Sequence, residues 1–147
     1  GVDPLSRRRF WRLIDEMSRQ GVTVFVTTHY LDEAEHCHRI ALLDAGKLVA
    51  LGTSDELKAV YRDRAILEVS VPAQRVAAAL DILGEASFSK ETSVFGDRVH
   101  VVMDETGDAE ARIRGALEAQ GISPIGIDRI APSLEDVFLH HVSEEAK

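Results

Sequence analysis

The chain has 147 residues, 45% of them hydrophobic and 29% charged, with a net charge of −8. That balance suits a globular protein of one domain or two small ones and excludes a disordered tail. Its longest apolar runs fall far short of the roughly 20 residues that a membrane-spanning helix needs. The single cysteine, Cys37, cannot build an intramolecular disulfide framework and suits a reducing cytoplasm.

The first segment reads as helix, strand, helix, hairpin, helix. Asp3 suits an N-cap and Pro4 a first helical turn. Phe10, Leu13, Ile14 and Met17 then recur at i, i+3, i+4 and i+7, the signature of an amphipathic helix. Arg7, Arg8, Arg9 and Arg12 lie mostly off that stripe, as a solvated face does. Gln20-Gly21 ends the helix, with Gly21 at C′. Val22–Thr28 is β-branched and almost continuously apolar, which predicts a strand covered on both faces in a parallel sheet.

A short helix from Tyr30 to about Cys37 follows. The strands Ile40–Leu43 and Leu48–Leu51 come next, joined through Asp44-Ala45-Gly46-Lys47 as a hairpin. Thr53 and Glu56 have capping-box spacing and start a helix to about Tyr61. A shift in charge marks a boundary there. Residues 1–62 carry nine basic and nine acidic side chains, and residues 63–147 carry eight and sixteen. The acidic part is a poor surface for nucleic acid or an anionic membrane, so no nucleic-acid partner is expected.

The second segment predicts strand Ala65–Val71, helix Gln74–Leu83, a hairpin of Ala86–Glu91 with Arg98–Met103, helix Ala109–Gln120 and strand Ile122–Ile130. The order βαββαβ is that of a ferredoxin-like split βαβ sandwich. A last helix, Leu134–Val142, follows Pro132-Ser133. In residues 1–62 a strand buried on both faces has only one hairpin for company, and a bare apolar sheet edge is an association site. That half therefore reads as the end of an α/β domain whose start is missing, able to self-associate through its incomplete sheet.

His29 is the candidate for chemistry. It ends a strand and precedes a helix, where α/β sheets bind ligands, although a lone histidine is more often structural. His29, Glu33 and His36 fall at i, i+4 and i+7 beside Cys37 and His38, a possible transition-metal set, but without the H-E-x-x-H order. His140 and His141 point about 100° apart on a helix and define no shared site. Asp104, Glu105, Asp108 and Glu110 miss the EF-hand spacing and suit a solvated helix N-terminus. No metal site is expected.

"GVDP", Gly1–Pro4, resembles the D-loop of the ATP-binding cassette (ABC) transporter ATPases. "VTVFVTTHYLDEAEHCHRIALLDAGKLVALGTSDEL", Val22–Leu57, resembles their H-loop histidine, its "DEAE" helix and the closing hairpin and helix. The wording is most similar to ATP-binding subunits of exporters, including multidrug exporters, whose membrane subunits are separate chains. "PSLEDVFLHHV" near the end resembles the small C-terminal extension of that branch. "CHRI" departs from the aspartate many relatives carry before the arginine, with His38 in that place.

The resemblance implies an α/β tail of a nucleotide-binding domain, residues 1–62, followed by an α+β ferredoxin-like accessory domain, residues 63–147. It implies ATP and Mg²⁺ as cofactors of an intact parent, a second nucleotide-binding subunit as dimer partner, and a separate membrane permease. It also implies a cytoplasmic location, peripheral at the inner face of the membrane. His29 would contact the ATP γ-phosphate and help hold the attacking water. Asp3 would reach toward the partner's nucleotide, and Gly1 would give that loop freedom.

The sequence holds no G-x-x-x-x-G-K-[ST] phosphate loop, no "LSGGQ"-like signature and no Walker B aspartate-glutamate pair. The chain is therefore expected to be a C-terminal fragment of an ATPase, inactive alone and holding no cofactor by itself. The competing expectation is a non-enzymatic regulatory, small-ligand-binding or dimerisation module, since fold alone does not fix function.

Overall fold

The computed structural model describes residues 3–145. The chain forms two compact units that divide between His38 and Arg39. In the first, helix α1 (Pro4–Arg19) starts where expected, with Asp3 as N-cap and Pro4 at the first position. It ends in a Schellman turn: Gly21, at φ +84°, donates to the Ser18 carbonyl at 3.0 Å and Val22 donates to the Met17 carbonyl at 3.1 Å. Glycine suits C′ because its left-handed backbone has no Cβ to clash. Trp11 is the buried residue of α1, whereas Phe10, Leu13 and Met17 of the expected apolar stripe are exposed.

Two expectations for this unit are corrected. Val22–Thr28 forms no strand, and no parallel sheet surrounds it among the described residues. A strand exists only through its ladder, and this segment has no paired neighbour, so Phe25 stands 93% exposed. Helix α2 covers only Leu31–Ala34 rather than continuing to Cys37. His36 and Cys37 instead donate to the Glu33 and Ala34 carbonyls three residues back, the tighter winding common at helix ends.

In the second unit, β1 (Ile40–Asp44) and β2 (Lys47–Gly52) pair antiparallel. Their turn residues, Ala45 and Gly46, have φ 45° and 81°, the mirror-image turn whose twist matches the strands. Helix α3 (Ser54–Lys58) opens with the expected capping box and runs into a 3₁₀ turn over Ala59–Tyr61. The hairpin and α3 lie against the last helix of the chain, in the same compact unit.

The remaining elements are β3 (Arg64–Ser70), α4 (Val76–Glu85), β4 (Ser89–Phe95), β5 (Arg98–Asp104), α5 (Ala109–Glu118), β6 (Gly126–Ile130) and α6 (Leu134–Glu145). Strands β3–β6 make one antiparallel sheet in the order β4-β5-β3-β6. Strand β4 starts later than expected because Ala86–Phe88 turns out of α4: Ala86 donates to Leu83 and Ser89 donates to Ala86. Strand β6 is also shorter than expected. Pro124 has no N–H to give a ladder, and the first bond back to β3 is Ile125 N–H to the Ser70 carbonyl at 2.7 Å.

The sheet's alternation sends Leu67, Val69, Val99, Val101 and Met103 to one face, where they pack with Leu83 of α4 and with Ile113 and Leu117 of α5. Ile66, Glu68, His100 and Val102 point to the other face, as period-2 strands require. Helix α6 covers that face with Leu134 and Val137, both fully buried. The chain is thus a small α/β protein with two antiparallel sheets.

Ala45 is the one non-glycine residue at positive φ among the described residues. A left-handed L-residue costs about 1 kcal/mol or more relative to glycine. Ala45→Gly should therefore raise the thermal midpoint of the second unit, and Ala45→Val should lower it. Equal melting of all three proteins would contradict the turn.

Candidate functional site

His29 follows the extended segment and precedes α2, and its side chain is exposed. Its ring lies 4.1 Å, centroid to centroid, from that of Tyr30. The backbone beside it is fixed by Thr28, whose hydroxyl accepts from the Tyr30 amide at 3.0 Å and donates to Glu33 Oε2 at 3.0 Å. Glu33 Oε1 takes the Arg7 Nε of α1 at 3.0 Å. The Arg7 guanidinium also lies over the Tyr30 ring, 5.6 Å from its centroid, a cation–π placement. Below this, the buried Trp11 stacks on His36 at 4.7 Å. Arg7, Thr28, Tyr30 and Glu33 thus brace the loop that presents His29.

Spacing in the sequence alone puts Arg7 on a solvated helix face, offers Glu33 only as a metal donor and gives Thr28 no role. The pair Arg7–Glu33 spans a turn, an extended segment and a second turn, so no local spacing signals it. The reading of His29, Glu33 and His36 as metal donors gains nothing from the geometry. Glu33 is engaged by Thr28 and Arg7, and His36 faces Trp11. Cys37 is half-buried, and burial pushes its thiol pKa up.

Asp3 holds the start of α1. Its Oδ1 accepts from the amides of Leu5 at 2.9 Å and Ser6 at 3.1 Å, and its Oδ2 accepts from the Ser6 hydroxyl at 2.5 Å. The Ser6 hydroxyl, followed by the Ser6 amide, keeps the carboxyl below its ordinary 3.8. Gly1, the third site residue expected from the sequence, lies outside the described residues. Asp3, Arg7 and His29 all belong to the first compact unit.

An exposed imidazole on a braced loop can donate a hydrogen bond to an anionic oxygen, and no carboxylate among the described residues is bonded to it in competition. A comparison with curated proteins finds relatives of the sequence. Over 59 residues, 40% of this chain and 10% of the relative, the sequence is 63% identical to the probable multidrug ABC transporter ATP-binding protein YbhF of Escherichia coli. Along its full length it is 31% identical to the daunorubicin resistance ATP-binding protein DrrA3 of Streptomyces coeruleorubidus, of which it covers 46%. Its homologues are ABC transporter ATP-binding proteins.

The daunorubicin/doxorubicin resistance ATP-binding protein DrrA of Streptomyces peucetius joins them at 46% identity over 59 residues. The chain spans about half the length of the S. coeruleorubidus relative, and its match covers a tenth of the E. coli relative. No family model matches the sequence. No helix among the described residues is long and apolar enough to cross a membrane.

Two measurements check the local architecture. Trp11→Ala removes the buried ring under the His29 loop and should cost about 3 kcal/mol or more, read as lost amide protection in α1 and α2. Retained protection would show that Trp11 does not join them. Asp3 gives a dependence on acid. Its pKa is lowered, so its contribution is present above the unfolded value near 3.8 and lost as pH falls through the folded value. The amides of Leu5 and Ser6 should lose protection in that acid range before those in the middle of α1 do.

Proposed function

We propose that this chain is the C-terminal part of the ATP-binding subunit of an ABC exporter. The identity of 31% to a daunorubicin resistance ATP-binding protein along the whole chain carries that reading. In it, residues 1–62 finish a nucleotide-binding domain and residues 63–147 form a ferredoxin-like accessory domain. The sheet order β4-β5-β3-β6 supports the second assignment. The exposed apolar side chains of α1 and the unpaired segment 22–28 support the first, since a nucleotide-binding domain supplies a sheet to cover them.

The residues present fit an ATP-directed role at one point. His29 is exposed and carried on a braced loop, so its imidazole can meet the terminal phosphate and the water beside it. Mg-ATP, when bound, supplies the phosphoryl group and the neutralising cation. His29 supplies placement and a hydrogen bond, the kind of contribution from which phosphoryl transfer gains most. Asp3 caps the first turn of α1, and in this reading it reaches toward the partner subunit's nucleotide. The subunit would dimerise and sit at the cytoplasmic face of the membrane on a separate permease.

The test is ATP turnover by the full-length protein. His29→Ala should lower kcat by about a hundredfold, while nucleotide affinity, measured by equilibrium binding, changes by less than a few-fold. Equal turnover would remove His29 from its role. Absence of any ATP turnover in the unaltered full-length protein would favour a non-enzymatic regulatory or dimerisation module.

A further inference from the structure

Helix α6 is held to the four-stranded sheet by a histidine that contacts two carboxylates. His100 on β5 is buried, with 5% of its surface exposed, and Asp136 on α6 has 3%. His100 Nδ1 meets Asp136 Oδ1 at 2.8 Å, and Nε2 meets Glu68 Oε2 on β3 at 3.3 Å. Phe95 of β4 stacks on the ring at 4.2 Å, so the imidazole has little freedom to turn away.

Each carboxylate is also used elsewhere. Arg98 donates to Glu68 Oε1 at 2.6 Å. The amide and hydroxyl of Ser133 donate to Asp136 Oδ2 at 2.9 and 2.7 Å. Both are acceptors engaged as anions, so both ring nitrogens of His100 must donate. Only the imidazolium carries a hydrogen on each.

We propose that the first turns of α6 form a proton-controlled latch: the charged His100 ring ties the helix to the sheet, and loss of its proton releases that end. The groups facing this latch are Glu68 from β3, Arg98 from β5 and Asp136 from α6. A second cluster lies next to it. His140 of α6 donates through Nδ1 to Glu91 of β4 at 2.7 Å, Arg64 of β3 donates to the same carboxylate at 3.2 Å, and the Tyr61 hydroxyl donates to the Asp136 carbonyl at 2.9 Å. These contacts hold α6 without passing through the His100 ring.

The direction of control follows from the two titrating partners. Burial opposes charge on His100, but the hydrogen bonds and charges of Asp136 and Glu68 outweigh it and raise the pKa above its ordinary 6.5. Burial likewise pushes the Asp136 carboxyl up, and the hydrogen bonds from His100 and Ser133 outweigh it and bring it below 3.8. The histidine's contribution is whole below 6.5 and is lost as pH rises through the raised value. The aspartate's is whole above 3.8 and is lost as pH falls through the lowered value. The latch is closed in mildly acidic solution and opens on the alkaline side.

Amide exchange of the 147-residue chain from pH 5.5 to 9, corrected for intrinsic exchange, tests this. The protection of Val137–Leu139, taken relative to Val99–Val101, should fall about tenfold for each unit by which folding raises the His100 pKa. His100→Gln should flatten that profile, and His140→Gln should leave it in place. Should His100→Gln fail to fold, Glu68→Gln keeps the Asp136 bridge and should move the fall to lower pH. A flat profile in the unaltered chain, or an unchanged one in His100→Gln or in Glu68→Gln, would overturn the proposal.

Discussion

The charged contact between His100, Glu68 and Asp136 is the constraint around which the second unit is arranged. A four-stranded sheet has two faces, and α4 and α5 cover only one of them with apolar side chains. The other face carries Glu68 and His100 in register on neighbouring strands. Charged and polar side chains cannot be buried there without partners, so the element covering them must bring an anion to the right place. Asp136 does so. Leu134 and Val137, on the same turns of α6, then bury fully against the sheet.

Asp136 can serve because Ser133 orients it. The hydroxyl of Ser133 accepts the Asp136 amide at 3.1 Å while the Asp136 carboxylate receives the Ser133 amide and hydroxyl. This reciprocal cap both starts α6 and fixes the rotamer that reaches His100. Tyr61, at the end of the turn after α3, closes the arrangement by donating to the Asp136 carbonyl. Burial and the nearby negative charges of Glu91 and Asp136 push its hydroxyl pKa up, which favours the protonated donor form. A helix start, a strand pair and a turn thus share one polar layer.

What could be read from the sequence divides along the same physical line. Local signals were legible: the Asp3 cap, the Gly21 stop, the Thr53–Glu56 box and the turn at Gly46 each depend on residues a few positions apart. The βαββαβ element order was legible for the same reason. Val22–Thr28 was misread because composition reports the environment a strand prefers, not whether a neighbouring strand is there to pair. The bounds of α2, β4 and β6 were misplaced where a local turn or Pro124 ends the ladder, a choice that backbone bonds make and side-chain pattern only hints at.

The candidate site shows the same division. His29 could be located from its place after an apolar run and from the resemblance around it. Its brace could not, because Arg7 and Glu33 come together only when α1 and α2 pack across Trp11 and His36. The one available hint was the spacing of Thr28 and Glu33 around Tyr30, a hydroxyl and a carboxylate on either side of a tight turn. Such a turn fixes the backbone of His29 by hydrogen bonds on both flanks while leaving its ring in solvent. In the proposed role, a backbone fixed in that way gives up little further freedom on binding, the condition under which a single hydrogen bond contributes most to positioning a reacting group.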